Sequence, residues 1–432
     1  MAPSRRQLLR AGLVSLAGVS GCAAGRWPSG GASPEATPTP DPSPGEPAPS
    51  TVTPVEDETM ATCGTGPMPA APWPLPDRSA GRANYAPAAD GPTGAPTAAW
   101  SVTAPRPEIG EYRFTRPVVA GGRVVAGRRH VVGPEREPPD RQAVIAYDLE
   151  SGAERWRATV GGEPSPPAVA DEHVLVHDGT TLHAVDAASG ESRWTISPPG
   201  GIRRALPTPA GVLVVSRGEH GGDRMRLVEP DGTGRWELDL PGVVGSRIAW
   251  SGGRAYVATP EAAVMAVDTA EPAVTWTRDL QDDGDTQPTT LVATPCSVYA
   301  AADGTLYGLR RTGGLAWVTP GGGRQLATDG EAVYGLSGAG YVRAFSAADG
   351  AREWERFLGR HDNRRTDGFY AGPATDGATL FAGTLDRKLV AVATADGRVR
   401  WTLERDWDTP ARVALAGGRL LAGWGRHLVA FR

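Results

Sequence analysis

Ala184-Val185-Asp186-Ala187-Ala188-Ser189-Gly190-Glu191-Ser192-Arg193-Trp194 has the skeleton Ala-x-Asp-x-x-x-Gly-x-x-x-Trp, and this skeleton keeps returning along the chain. Ala146, Asp148, Gly152 and Trp156 repeat it in full. Gly232 with Trp236, Gly313 with Trp317, Gly350 with Trp354 and Gly397 with Trp401 repeat the turn and its anchor, whereas Trp276 follows Pro272. A glycine turn that leads back into a strand opening on tryptophan reads as the closing hairpin of one sheet. From Trp156 the tryptophans recur after 38, 42, 40, 41, 37 and 47 residues. That is the period of propeller blades, not of helical repeats.

Around each hairpin the chain repeats one unit of apolar segments and turns. In the second unit Pro167 to Ala170, Val174 to His177, Thr181 to Val185 and Trp194 to Ile196 are the expected strands, joined by Asp171-Glu172, Asp178-Gly179 and Ser189-Gly190. Such strands are apolar on both faces, as sheets packed between neighbouring sheets require. Units ending in Trp156, Trp194, Trp236, Trp276, Trp317, Trp354 and Trp401 are followed by an eighth, Val413 to Phe431, that lacks its last strand. Ala99-Trp100-Ser101-Val102-Thr103 is expected to supply it, which removes an open sheet edge and makes Trp100 the eighth anchor. The reading is all-β: an eight-bladed β-propeller of four-stranded antiparallel blades over residues 100–432, about 42 residues per blade, closed by an N-terminal strand.

The 432 residues carry a formal charge of -5, and Lys388 is the sole lysine. No basic field argues for nucleic acid as a partner. Residues 1–22 read as an export signal: Arg5-Arg6, an apolar run from Ala11 to Val19, then small residues before Cys22. Ser4-Arg5-Arg6-Gln7-Leu8-Leu9-Arg10 resembles the twin-arginine signal, and Val19-Ser20-Gly21-Cys22 resembles a bacterial lipobox. Together they predict a protein exported to the outer face of the cell membrane and anchored there by diacylated Cys22. Residues 23–57 carry eight prolines from Pro34 to Pro54 and predict a disordered, extended tether. Residues 58–99 read as an irregular extension in which Cys63, Trp73 and Tyr85 are the docking handles.

The units resemble the pyrroloquinoline-quinone-like propeller repeats, whose blades carry this tryptophan docking motif, and the resemblance covers residues 100–432. Two units match in full, while others lose the aspartate, as at Ser346 and Ala393. The resemblance implies that the eight tryptophans cover the joints between blades. It also implies one of two kinds of activity. Quinone-dependent dehydrogenases form one group, and non-enzymatic propellers, including eight-bladed lipoprotein scaffolds of the outer-membrane assembly machinery, form the other. Chain length and the expected lipid anchor favour the second. A dehydrogenase would bring a calcium-binding acidic cluster, an adjacent-cysteine pair and a longer chain, so no cofactor is expected.

In a propeller the first strand of each blade lines the central channel. Those segments, such as Arg116 to Ala120, Ser165 to Ala170 and Arg324 to Thr328, contain no Asp, Glu, His or Cys. They therefore offer neither facing carboxylates for acid/base chemistry nor a metal-ligand set. Arg116, Arg247, Arg324 and Arg412 are expected to cap a water-filled channel mouth, with anion binding as the alternative. His130, His220 and His361 read as solvated turn residues. Asp282, Asp283 and Asp285 read as a solvated connection, with a weak calcium site as the alternative.

Loop lengths carry more information. Insertions are read at Arg128 to Arg141, Arg217 to Arg224, Asp282 to Gln287 and Arg360 to Phe369, in the two loop classes that share one face. Repeat proteins bind on the face that accepts insertions. The expected partner surface is thus a rim containing Arg128, Arg129, Arg217, Arg360, Arg364 and Arg365, presented by a monomer to another envelope protein or ligand. A polysaccharide-binding or sensor module is a further alternative, with Phe369, Tyr370, Trp407 and Trp424 as sugar platforms. With Cys22 lipidated, Cys63 and Cys296 remain, and a disulfide between them is the natural pairing in an oxidising compartment. The alternative is a buried Cys296 and a free Cys63.

Overall fold

The computed structural model describes residues 75–77, 79, 82, 84–86, 91–132, 142–218, 221–242, 248–259, 263–280, 288–337, 339–359, 371–384, 388–405 and 412–432. These all fall in one unit, Asp57–Arg432. The export signal, the lipidation site Cys22 and the tether lie outside the described residues. Among the described residues all regular structure is β, and no helix is long and apolar enough to cross a membrane.

The strands form eight antiparallel sheets. Blades 1 to 7 are residues 111–160, 168–196, 202–239, 248–279, 288–320, 325–357 and 371–404, each running from strand a at the axis to strand d outside. Blade 8 takes strands a to c from 412–431 and strand d from Ala98–Thr103, which pairs with His427–Phe431. The N-terminal strand therefore closes the ring as the repeat register requires. Strand a of every blade contacts strand a of both neighbours, so eight inner strands surround one axis. Blade 1 departs from the pattern, because its strand a is split into Glu111–Phe114 and Val118–Ala120, both paired with Arg123–Val131.

Burial follows position in the blade. Strand b of blade 5, Ser297–Ala302, is buried along its whole length. Strand d of blade 6, Arg352–Phe357, alternates between exposed and half-buried. Middle strands meet neighbouring blades on both faces, whereas outer strands meet water on one.

The repeated skeleton holds blade to blade. Each tryptophan donates its indole N–H to a main-chain carbonyl of the next blade, as Trp100 does to Leu149 at 2.9 Å, Trp156 to Ala187 at 3.0 Å and Trp317 to Ala347 at 3.1 Å. The acceptor is the residue just after the aspartate position, and Trp194, Trp236, Trp276 and Trp354 repeat the bond with Pro230, Thr269, Arg311 and Thr394. Gly190 shows why the turn requires glycine. Its φ is +77°, and a Cβ there would stand 2.7 Å from the Trp156 ring, so the indole stacks on a bare backbone. Asp186 ties the same turn together by accepting from the N–H groups of Ala188 and Ser189 at 2.9 and 2.8 Å and from Arg193 at 2.6 Å. Arg193, followed by the Ser189 N–H, holds the Asp186 carboxyl well below the usual carboxylate range. Blades that lose the aspartate keep the tryptophan bond, which depends only on a carbonyl.

Candidate functional site

The axial channel departs most from the sequence reading. Strand a of blade 1 breaks at Thr115-Arg116-Pro117, where the Thr115 hydroxyl accepts the Gly127 N–H at 2.9 Å in place of a ladder partner. The break places Arg116 in the interior, 6% exposed. A buried guanidinium needs a partner, and the strands that surround the axis, with Val118–Ala120 for blade 1, provide no acid. Asp77, from the segment before the first strand, provides it: its carboxylate pairs with both Arg116 and Arg82. Arg116 also donates to the Pro76 carbonyl at 2.6 Å. Burial lowers the Arg116 guanidinium from its ordinary value, and Asp77 works against that shift.

The same segment reaches several blades at once. Arg82 donates to the Ile248 carbonyl of blade 4 at 3.4 Å, and Asn84 donates to the Leu326 carbonyl of blade 6 at 3.0 Å. Thr375, in strand a of blade 7, donates its N–H to the Asn84 carbonyl at 2.9 Å and accepts the Ala86 N–H at 2.8 Å, with Tyr85 as a parallel bridge partner. Contacts with blades 1, 4, 6 and 7 place these residues across the axis. Thr375 ends its strand at the turn into strand b, so Tyr85 and Ala86 enter from the short-turn face, whereas Ile248 opens its inner strand and Arg116 precedes Val118–Ala120, so Asp77 and Arg82 lie deeper along the axis, toward the end that carries the insertions. Beyond it, Gly91 donates to Asp376 at 3.1 Å, and the Pro92 carbonyl accepts the Trp401 indole at 2.9 Å. Pro92 thereby fills, in blade 8, the acceptor role that the third-to-fourth-strand turn plays elsewhere.

Two expectations are corrected here. Arg116 does not cap a water-filled mouth, because the chain's own carboxylate and carbonyls surround it. Residues 58–99 are not merely a loop with handles: Leu75, Asp77, Asn84 and Ala86 are buried within the propeller. Tyr85 is a docking handle as read. Arg324 is exposed, and Arg247 lies outside the described residues. Arg204 of blade 3 joins the inner set, its guanidinium lowered by burial and then by Arg82 and Arg203.

The rim reads differently as well. Arg128, Arg129 and His130 belong to strand Arg123–Val131, extended by its pairing with Glu111–Phe114, and not to a loop. Arg128 lies 4.7 Å over the Tyr112 ring, and Arg129 pairs with Glu163. His130 is 3% exposed, contrary to a solvated turn, with its ring 4.6 Å from Tyr112 and Nε2 2.7 Å from the Ile109 carbonyl. Arg217 is exposed at the end of Gly211–Arg217, and Arg224 lies in the next strand, so that insertion is shorter than read. Trp424 is fully buried and offers no sugar platform. Arg360, Arg364, Arg365, Phe369, Tyr370, Trp407, His220, His361, Asp282, Asp283 and Asp285 lie outside the described residues.

Cys296 sits in the turn joining strands a and b of blade 5, where Thr294 donates to the Ser297 carbonyl at 2.8 Å, and it is disulfide-bonded. Its partner lies outside the described residues. Among the described residues no group of three or more His, Cys, Asp or Glu is placed to hold a metal ion. His177, half-buried between blades 2 and 3, has its imidazole pushed down to about 4 by burial and then by Arg204.

Eight four-stranded blades with tryptophan-docked joints define a pyrroloquinoline-quinone-like β-propeller. More narrowly, the chain belongs to the family described as outer membrane protein assembly factor BamB, whose profile matches residues 140–227, 220–368 and 338–431. No curated protein matches the chain. Among solved structures it is similar to BamB from Moraxella catarrhalis, with 18% identity and a TM-score of 0.60 over 78% of this chain and 98% of that one. It is also similar to the quinohemoprotein alcohol dehydrogenase of Comamonas testosteroni, at 14% identity and a TM-score of 0.63 over 86% and 81% of the two chains. A europium-containing methanol dehydrogenase shares 14% identity and a TM-score of 0.63 over 82% of this chain and 90% of its own. At these identities the structural likenesses establish the fold alone. The described residues do not fit a quinone with its metal, since Asp77, Arg82 and Asn84 fill the axial channel and among the described residues no metal-ligand group is assembled.

Proposed function

We propose that this protein is a non-enzymatic binding scaffold of the cell envelope, exported and held at the membrane by lipidated Cys22 through the proline-rich tether. The partner is another envelope protein or ligand, met by the face that carries the insertions. The observation that supports this best is the channel itself: its axis is occupied by the chain's own Asp77–Arg116 pair, which leaves the surrounding rim for recognition. Membership of the BamB-described family supports a scaffold reading.

The test has three arms. Cys22→Ala releases the protein from the membrane fraction, and a variant that stays bound contradicts the anchor. Reversing charge at Arg364 and Arg365 weakens in-cell crosslinking to envelope partners without lowering thermal stability. Reconstitution with pyrroloquinoline quinone and calcium leaves no bound absorbance after gel filtration. Retained quinone with alcohol oxidation would favour the dehydrogenase instead.

A further inference from the structure

We propose that the axial channel of the propeller is a peptide-binding site and that the segment carrying Asp77, Arg82, Asn84 and Tyr85 is its ligand, bound in cis. The site is made by the propeller: Arg116 receives a carboxylate, the Ile248 and Leu326 carbonyls receive side-chain donors, and the inner edge of Ala371–Thr375 receives backbone. Addition of an extended segment to a free strand edge, with side-chain contacts setting the register, is a standard mode of peptide recognition. Propellers present that edge on every inner strand, and here one of the eight is used.

The ligand is shaped by the site and not by its own sequence. Its backbone doubles back, with Ser79 and Asn84 both donating to the Asp77 carbonyl at 3.0 Å. Arg82 and Asn84 adopt φ of 62° and 54°, a left-handed conformation that is costly for arginine and persists only where surrounding contacts over-determine it. Among its described residues Leu75 and Ala86 are the buried apolar side chains, too few to fold the segment alone. Covalent attachment supplies the effective concentration that keeps such a weak binder in place. A free peptide of the same sequence, or the segment of a second copy, can occupy the site when the cis segment is weakened. The site lies along the axis and its contacts use none of the rim arginines, so it stands or falls independently of them.

The test uses full-length protein carrying Asp77→Asn and Asn84→Ala, with a fluorescent synthetic peptide of residues 75–90 as probe. The variant is expected to bind the peptide at least about tenfold more tightly than wild type, whose own segment blocks the site. A peptide with Asp77→Asn is expected to bind at least about tenfold more weakly, the loss of one charge-assisted hydrogen bond to a buried cation. Thermal melting checks that the variant is folded. If it is not, wild-type protein with a protease site inserted between Ala86 and Gly91 replaces it, and exchange of labelled for cleaved segment is read by gel filtration. A folded protein that neither binds nor exchanges the peptide, or that binds both peptides equally, overturns the proposal.

Discussion

The tryptophan girdle and the channel mouth hold the same ring together by opposite means. In the girdle one solution is repeated: an indole stacks on a bare glycine and donates to a carbonyl one blade on, as Trp156 does over Gly190 and to Ala187. At the mouth a single non-repeating segment satisfies several blades at once through a buried ion pair and strand-edge bonds. The girdle distributes stability over many equivalent joints, whereas the mouth concentrates it in one carboxylate. Damage should therefore be local in the first and global in the second.

The largest expected effect is at the mouth. Asp77→Ala leaves Arg116 buried without its carboxylate and should cost about 3–5 kcal/mol in chemical denaturation. If the protein instead loses less than about 1 kcal/mol, the mouth is no more concentrated than a surface pair. The next effect is a pH dependence confined to the interior. His177 has its folded-state value depressed below the ordinary 6.5, to about 4, so the unfolded chain takes up a proton that the folded chain refuses. Stability is complete above about pH 6.5, falls by up to about 3 kcal/mol as the pH drops toward 4, and levels below that. Replacing His177 with Gln should flatten this limb, and an unchanged limb would place the acid sensitivity elsewhere.

Gly190→Ala sharpens the girdle side. The added methyl meets the Trp156 ring at a left-handed backbone position, and a loss of at least about 1 kcal/mol is expected, with Trp156 fluorescence shifted. The smallest effect is Trp401→Phe, which deletes the indole N–H that reaches Pro92 and should cost about 1 kcal/mol. A much larger loss there would mean that the closing joint is unlike its seven counterparts.

The two regions also differ in how far they can be read from sequence, for the same physical reason. Each joint needs its own glycine, tryptophan and acceptor, so the chain writes the solution out repeatedly, and the period, blade number and closing strand at Ala98–Thr103 follow. The mouth is written once. Asp77 meets Arg116, and Asn84 meets Leu326 242 residues away, with no periodicity and little apolar patterning to mark them. One signal did exist: Arg116 opens an inner segment, and the inner segments from Arg116 to Ala120 onward carry no acid, so a buried Arg116 would need its counter-charge from elsewhere in the chain. His130 was misread because an insertion after a strand looks the same in sequence whether it begins as loop or prolongs the ladder. Tyr112 prolongs it here, pairing with His130 in register and packing against its ring at a tilt.

The most direct measurement is a double-mutant cycle between Asp77 and Arg116. Urea unfolding is followed for Asp77→Leu, Arg116→Met and the pair together. If the N-terminal segment fills the channel mouth and carries the buried charge, the single variants are strongly destabilised, the double variant regains much of the loss, and the coupling is at least about 2 kcal/mol. Additive losses with coupling near zero would contradict that placement.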